Sequence, residues 1–135
     1  MTCGDGVKTH IVRPSTMRLM KSDVCIRGAG PVGQVLALLL ARARIRVSLA
    51  APVAASLPSV DLRSYALNAA SRQLLTDLRA WPDQATPVNA MKVWGDAQSQ
   101  IDFEAQSQPV AWIVDAQALQ EALTQAIRFA PEVEH

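Results

Sequence analysis

Two cysteines and two histidines are all that this chain of 135 residues offers toward thiol or metal chemistry. Cys3 and Cys25 form neither a C-x-x-C pair nor part of a metal-ligand set, and nothing beside His10 completes a site. Cys25 falls within an apolar stretch, where the expectation is a small buried hydrophobe. Neither sign of charge dominates: 13 basic and 12 acidic side chains leave a net charge of +1. That balance gives no nucleic-acid footprint and no polybasic membrane anchor. The first 22 residues carry no apolar core of a secretory signal. The apolar run at 35–40 is far too short for a transmembrane segment. Internal repeats and low-complexity segments are also missing. These absences point to a reduced, cytoplasmic setting and at most one domain. A chain of this size buries on the order of two-thirds of its unfolded surface, so a core is feasible.

Against that background one stretch stands out, residues 23–51, DVCIRGAGPVGQVLALLLARARIRVSLAA. Residues 24–27 read as a strand and 32–43 as a helix. Ile45, Val47 and Leu49 then alternate like a half-buried second strand. Between the first strand and the helix, Gly28, Gly30 and Gly33 stand in the order G-x-G-x-x-G, the context in which that motif binds dinucleotides. Gly28 permits the tight turn, Gly30 lets a pyrophosphate approach the backbone, and Gly33 brings helix and strand together. The helix N-terminus adds unpaired N–H groups and partial positive charge. The candidate phosphate cradle is therefore Gly28, Ala29, Gly30, Pro31, Val32 and Gly33. Leu36, Leu39 and Leu40, with Ala37 and Ala43, are expected to form the helix face on the sheet. A right-handed crossover makes the two strands parallel neighbours.

The rest of the chain is quieter. Residues 1–22 read as a loose tail, in which Met17 and Met20 are equally natural starts, and 51–61 as a connecting loop. Asn68 is placed to cap a second helix carrying Leu74, Leu75, Leu78 and Trp81, which Pro82 is expected to stop. Short strands are expected at 91–94, 101–103 and 111–114. A last helix is expected after Asp115, burying Leu119, Leu123, Ala126 and Ile127. Gly95-Asp96-Ala97 reads as a hairpin turn.

The order DVCIRGAGPVG, LRSYALNAASRQLLTDLRAW, MKVWGDAQSQIDF, AWIVDAQALQEAL resembles the N-terminal part of class A flavin monooxygenases over about residues 22–130. Within that class it is most similar to ubiquinone-biosynthesis hydroxylases, which in turn resemble p-hydroxybenzoate hydroxylase. The more discriminating segment is Asp61-Leu62-Arg63 followed by a helix of the form SxxLLxxLGxW, here Ser71, Leu74, Leu75, Leu78 and Trp81. The resemblance implies an α/β, Rossmann-like FAD-binding βαβ unit with a short β-hairpin region and a further helix, incomplete relative to the family. It implies FAD as cofactor, NAD(P)H as co-substrate, and O₂-dependent hydroxylation of an aromatic or polyprenyl phenol. It places Arg63 toward the cofactor's phosphates, where a guanidinium fork suits a diphosphate, and Gln117 toward the flavin. No side-chain nucleophile or acid–base pair is expected, because the cofactor carries the hard step.

Two departures qualify the resemblance. FAD-binding units place a carboxylate on the adenosine ribose at the end of the second strand, whereas this one ends Leu49-Ala50-Ala51. Losing that contact removes about 1.5–3 kcal/mol of charged hydrogen bonding. The family's later motifs, an Asp-Gly pair and a Gly-Asp-Ala with His and Pro, would lie downstream, and Gly95-Asp96-Ala97 comes too early to be the latter. The chain ends at PEVEH, before the strands expected to complete the sheet. The leading expectation is thus the FAD-binding N-terminal part of an aromatic hydroxylase, truncated or split. The alternatives are a non-catalytic remnant that binds nucleotide weakly or not at all, and a stand-alone NAD(P)-binding module. The open sheet edge would invite a second copy or a complementing chain. A peripheral membrane association is compatible with a polyprenyl substrate.

Overall fold

A computed structural model describes residues 22–51, 61–96 and 99–134. The expected tail, with Cys3 and His10, and nearly all of the loop expected over 51–61 lie outside them.

The chain begins β1 (Val24–Arg27), α1 (Pro31–Arg42) and β2 (Val47–Ala50). The two strands are parallel, with Val24 opposite Val47 and Arg27 opposite Ala50. A third parallel strand, β8 (Val133–Glu134), lies on the other side of β2, with Val47 opposite Val133. The residues at the end of the chain therefore complete a three-stranded sheet in the order β1-β2-β8. Among the described residues no strand pairs with the other edge of β1.

The second sheet is antiparallel and only partly visible in the sequence. β7 (Ala111–Asp115) is its centre, flanked by β3 (Ser64–Leu67) and β4 (Ala85–Val88). Pro87 is tolerated in β4 because β4 is an edge strand. Between them, α2 (Ala69–Asp77) opens at Asn68, whose Oδ1 accepts from the Ser71 N–H at 2.9 Å. β5 (Ala90–Trp94) and β6 (Gln100–Glu104) form the expected separate hairpin, and Gly95 lies at its turn, donating to the Ser99 carbonyl. α3 (Ala116–Arg128) opens at Asp115, whose carboxylate accepts from the Gln117 N–H at 3.1 Å.

Both α1 and α2 end in the same way. The N–H groups of Arg44 and Ile45 bond to the carbonyls of Ala41 and Leu40, and those of Arg79 and Ala80 to Thr76 and Leu75. This is the Schellman arrangement, which needs a left-handed residue just past the helix and usually takes glycine there. Here arginine fills it twice, Arg44 at φ 61° and Arg79 at φ 57°. Pro82 is thus not what stops α2: the helix is already closed at Leu78–Ala80, and Trp81 follows it.

The core lies between α1, α3 and the two three-stranded sheets, with Val47, Leu49, Val114, Leu123 and Ile127 almost fully buried. Each such side chain contributes about 1.5–3 kcal/mol of burial. Trp81 and Trp112 meet edge to face at 6.4 Å, and the Arg72 guanidinium lies 4.5 Å from the Trp112 ring centre. The α1 face matches the expected one at Ala37 and Leu40, which pack in the core, and differs from it elsewhere. Gln34, Ala37, Leu38 and Ala41 are buried, while Leu36 and Leu39 are 45% and 40% exposed and Ala43 is exposed. A helix apolar nearly all round carries no periodicity that selects a face, and packing against α3 selects this one. Cys25 is likewise exposed, not buried, because alternation along β1 turns Ile26 toward the core and Cys25 away. Among the described residues no helix is long and apolar enough to cross a membrane, and no cluster could hold a metal ion.

Candidate functional site

β1 delivers the chain into the glycine turn, and the three glycines there differ in what the backbone asks of them. Gly28 has φ 121°, a conformation that side-chain-bearing residues rarely adopt, and its N–H is anchored on the Ala50 carbonyl at 2.9 Å. Gly33 lies in the first turn of α1, where a Cβ would collide with the Gly28 carbonyl and sit 3.5 Å from an Ile26 methyl. Gly30 is neither strained nor crowded: φ is −74°, and a Cβ there would meet nothing within 4 Å. The structure itself therefore does not need glycine at 30; only something occupying that open space would.

The turn is also rich in unused donors. Gln34 N–H closes the first helical bond on the Gly30 carbonyl at 3.0 Å. Among the described residues, the N–H groups of Ala29, Gly30, Val32 and Gly33 have no acceptor in the chain, and Pro31 has none to donate. No side chain caps α1, and no acidic residue occupies its first turn. Four N–H groups without an acceptor at the positive end of a helix dipole are an arrangement that suits an anion, and nothing among the described residues competes for them.

Arg63 and Gln117 are far apart in sequence, but the second sheet brings them to one place. Ser64 pairs with Asp115, and the Ala116 N–H donates to the Arg63 carbonyl at 2.9 Å, so Arg63 sits at the start of α3. Its guanidinium is engaged by Asp61 through two bonds, Nε to Oδ1 at 2.8 Å and Nη2 to Oδ2 at 2.7 Å. That pair holds the Asp61 carboxyl down at about pKa 2 and raises Arg63 above its ordinary value. Both side chains remain reachable from solvent. The Gln117 amide donates to Glu121 at 2.9 Å on its own helix and is exposed. Ala51, just past β2, is exposed, so the strand ends without a carboxylate.

One residue escaped sequence reasoning. Gln120, part-buried on α3, donates from Nε2 to the Ala29 carbonyl inside the glycine turn at 3.0 Å. One turn on, the Thr124 hydroxyl accepts from Gln34 at 3.2 Å. The available signal was a polar row at 117, 120 and 124 along the flank of an otherwise apolar helix face. α3 thereby links the two halves of the candidate site, Gln117 beside Arg63 and Gln120 beneath the glycines.

No protein-family model matches the chain. Its fold is that of segments of longer solved structures. It is similar to p-nitrophenol 4-monooxygenase PnpA from Pseudomonas putida DLL-E4, with a TM-score of 0.60 and 21% identity over 84% of this chain and 31% of that one. It is similar also to the anhydrotetracycline hydroxylase OxyS from Streptomyces rimosus, with a TM-score of 0.62 and 26% identity over 84% of this chain and 24% of that one. The flavin-dependent monooxygenase PieE, solved with FAD and substrate, matches with a TM-score of 0.56 and 18% identity over 84% of this chain and 24% of its own. The chain spans about a quarter to a third of the length of these proteins.

Proposed function

We propose that residues 23–135 carry part of the FAD-binding domain of a flavin-dependent monooxygenase acting on an aromatic ring, and that the glycine turn holds the cofactor's pyrophosphate. The observation that carries this reading is the turn itself: four N–H groups around Gly30 that have no acceptor among the described residues, beside a Gly30 that faces open space. Fold likeness to the flavin-dependent monooxygenase PieE supports the choice of flavin over other dinucleotides.

The residues present fit the phosphate part of FAD. Ala29, Gly30, Val32 and Gly33 would donate to the pyrophosphate, and Arg63, once released from Asp61, would add a fork on the same ligand. Gln117 would offer an amide to the flavin on breaking its bond with Glu121. When bound, FAD would supply the redox chemistry of an NAD(P)H- and O₂-dependent hydroxylation of a phenol or polyprenyl phenol, as in ubiquinone-type hydroxylases. The chain's own part is to bind, orient and exclude water. It moves no proton at any of these positions. The fit is poorer at the ribose, where Ala51 offers no side-chain acceptor. This reading belongs with a cytoplasmic protein in reach of a lipid-borne phenol, and it assigns the other edge of β1 to a further strand from a second copy or a complementing chain.

The test is the visible spectrum of the purified chain with a thermal melt in ADP. Flavin bands near roughly 370 and 450 nm, properties of the cofactor itself, together with a higher Tm in ADP, support the proposal. A colourless protein that neither ADP nor FAD stabilises overturns it in favour of a non-catalytic remnant. Ala51→Glu should restore the ribose acceptor and tighten ADP binding by about tenfold or more, as a charged hydrogen bond of about 1.5–3 kcal/mol predicts. Isothermal titration of both proteins measures it.

A further inference from the structure

The glycine turn is anchored at both ends and loose in the middle. Gly28 N–H is fixed on Ala50, and the Gly30 carbonyl receives Gln34 N–H. The peptide between them, Ala29–Gly30, has one restraint among the described residues, the bond from Gln120 Nε2 to the Ala29 carbonyl. Reversing that peptide requires only coupled changes in ψ of Ala29 and φ of Gly30. Glycine at 30 makes the reversal cheap, because it accepts positive φ without steric cost.

The orientation of this peptide decides the sign of the turn. The described peptides contain no cis bond, and a trans peptide points its C=O and N–H in opposite directions. With the Ala29 carbonyl held toward α3, the Gly30 N–H is turned away from α3. In the reversed peptide a carbonyl oxygen would replace that N–H, and it would repel an anion. We propose that Gln120 is a positioning residue that locks the Ala29–Gly30 peptide in the anion-accepting orientation. This rests on the phosphate-binding reading of the turn. Thr124, one helical turn from Gln120, engages Gln34 of α1 and fixes the height at which α3 presents its amide. Only a donor serves at 120: a carboxylate would face a carbonyl, and a thioether would leave it unheld.

The experiment compares the wild-type chain with Gln120→Met, which preserves length and bulk, and Gln120→Glu, which preserves shape without a donor at neutral pH. Three quantities are read: Tm without ligand, ADP affinity by calorimetry, and the ¹H–¹⁵N signal of Gly30. The expected result is a near-native Tm, an ADP affinity lower by roughly the factor by which the competent turn is depopulated, about tenfold, and a shifted or broadened Gly30 signal. In Gln120→Glu, lowering the pH until the introduced carboxylate is protonated restores a donor and should return the Gly30 signal toward its wild-type position. Unchanged ADP affinity together with an unmoved Gly30 signal in both variants overturns the proposal. If wild-type chain fails to bind ADP, the phosphate reading falls, and the Gly30 signal still decides whether Gln120 locks the peptide. Should Gln120→Met not fold, Gln120→Glu and its pH response carry the decision.

Discussion

One methyl group, added at either of two glycines, should separate folding from binding. Gly33→Ala drives a Cβ into the Gly28 carbonyl, and overpacking of this kind costs about 1–3 kcal/mol. Its Tm should fall well below wild type. Gly30→Ala meets nothing within 4 Å, so its Tm should stay near wild type while ADP binding weakens; equal binding would remove Gly30 from the site. Asp61 provides a second test. Its pKa is held at about 2 by Arg63, below the ordinary 3.8. A depressed carboxylate stabilises the folded state above its unfolded pKa and loses that contribution as pH falls through its folded one. Here the window runs from 3.8 down to about 2. If a diphosphate takes the Arg63 fork, Asp61 is released and its pKa should climb back toward 3.8, as ¹³C carboxyl titration with and without ADP will read. The glycine turn was legible as residue types in a pattern, and its backbone has the geometry that pattern implies at Gly28 and Gly33. Gln120 was not, because its partner is a main-chain carbonyl, and no sequence pattern marks which carbonyl lacks a donor. Cys25 misled because four letters in β1 do not say which two face the core.

At the scale of elements, caps were legible and closures were not. Asn68 and Asp115 cap α2 and α3 as side-chain chemistry requires. Pro82 is the conspicuous helix breaker after α2, yet the chain turns earlier through a left-handed arginine. The resemblance points there, since the form SxxLLxxLGxW has glycine where this chain has Arg79. Holding a residue with a Cβ in that conformation costs about 1 kcal/mol or more. Arg79→Gly should therefore raise Tm by about 2–5 °C, an outcome that differential scanning calorimetry will confirm or refuse. β3 and β4 escape sequence reading because four-residue strands give too few alternations to count, and Pro87 argues against the second of them. Their positions follow from β7, to which both pair.

At the scale of the whole molecule, two apolar surfaces are left uncovered by the described residues. Val32, Leu36 and Leu39 lie on one face of α1, opposite its buried side. On the hairpin, Val93 opposite Ile101 continues to Met91 opposite Phe103, with Val93, Ile101 and Phe103 exposed. Much longer proteins share this fold, and an exposed apolar surface of this kind promotes association. The double change Leu36→Lys with Leu39→Lys should leave Tm nearly unchanged and reduce self-association in sedimentation velocity at high concentration; identical profiles would clear the α1 face of that role. β8 has a different consequence, in time and not in space. The βαβ unit of β1, α1 and β2 is local and can form early, but β2 receives its outer neighbour only from Val133 and Glu134. During synthesis the glycine turn would be in place while the sheet beside it still had two strands, waiting on residues made much later. Closing so long a loop is slow, so the step that limits folding should be the docking of β8, long after the binding turn has taken shape.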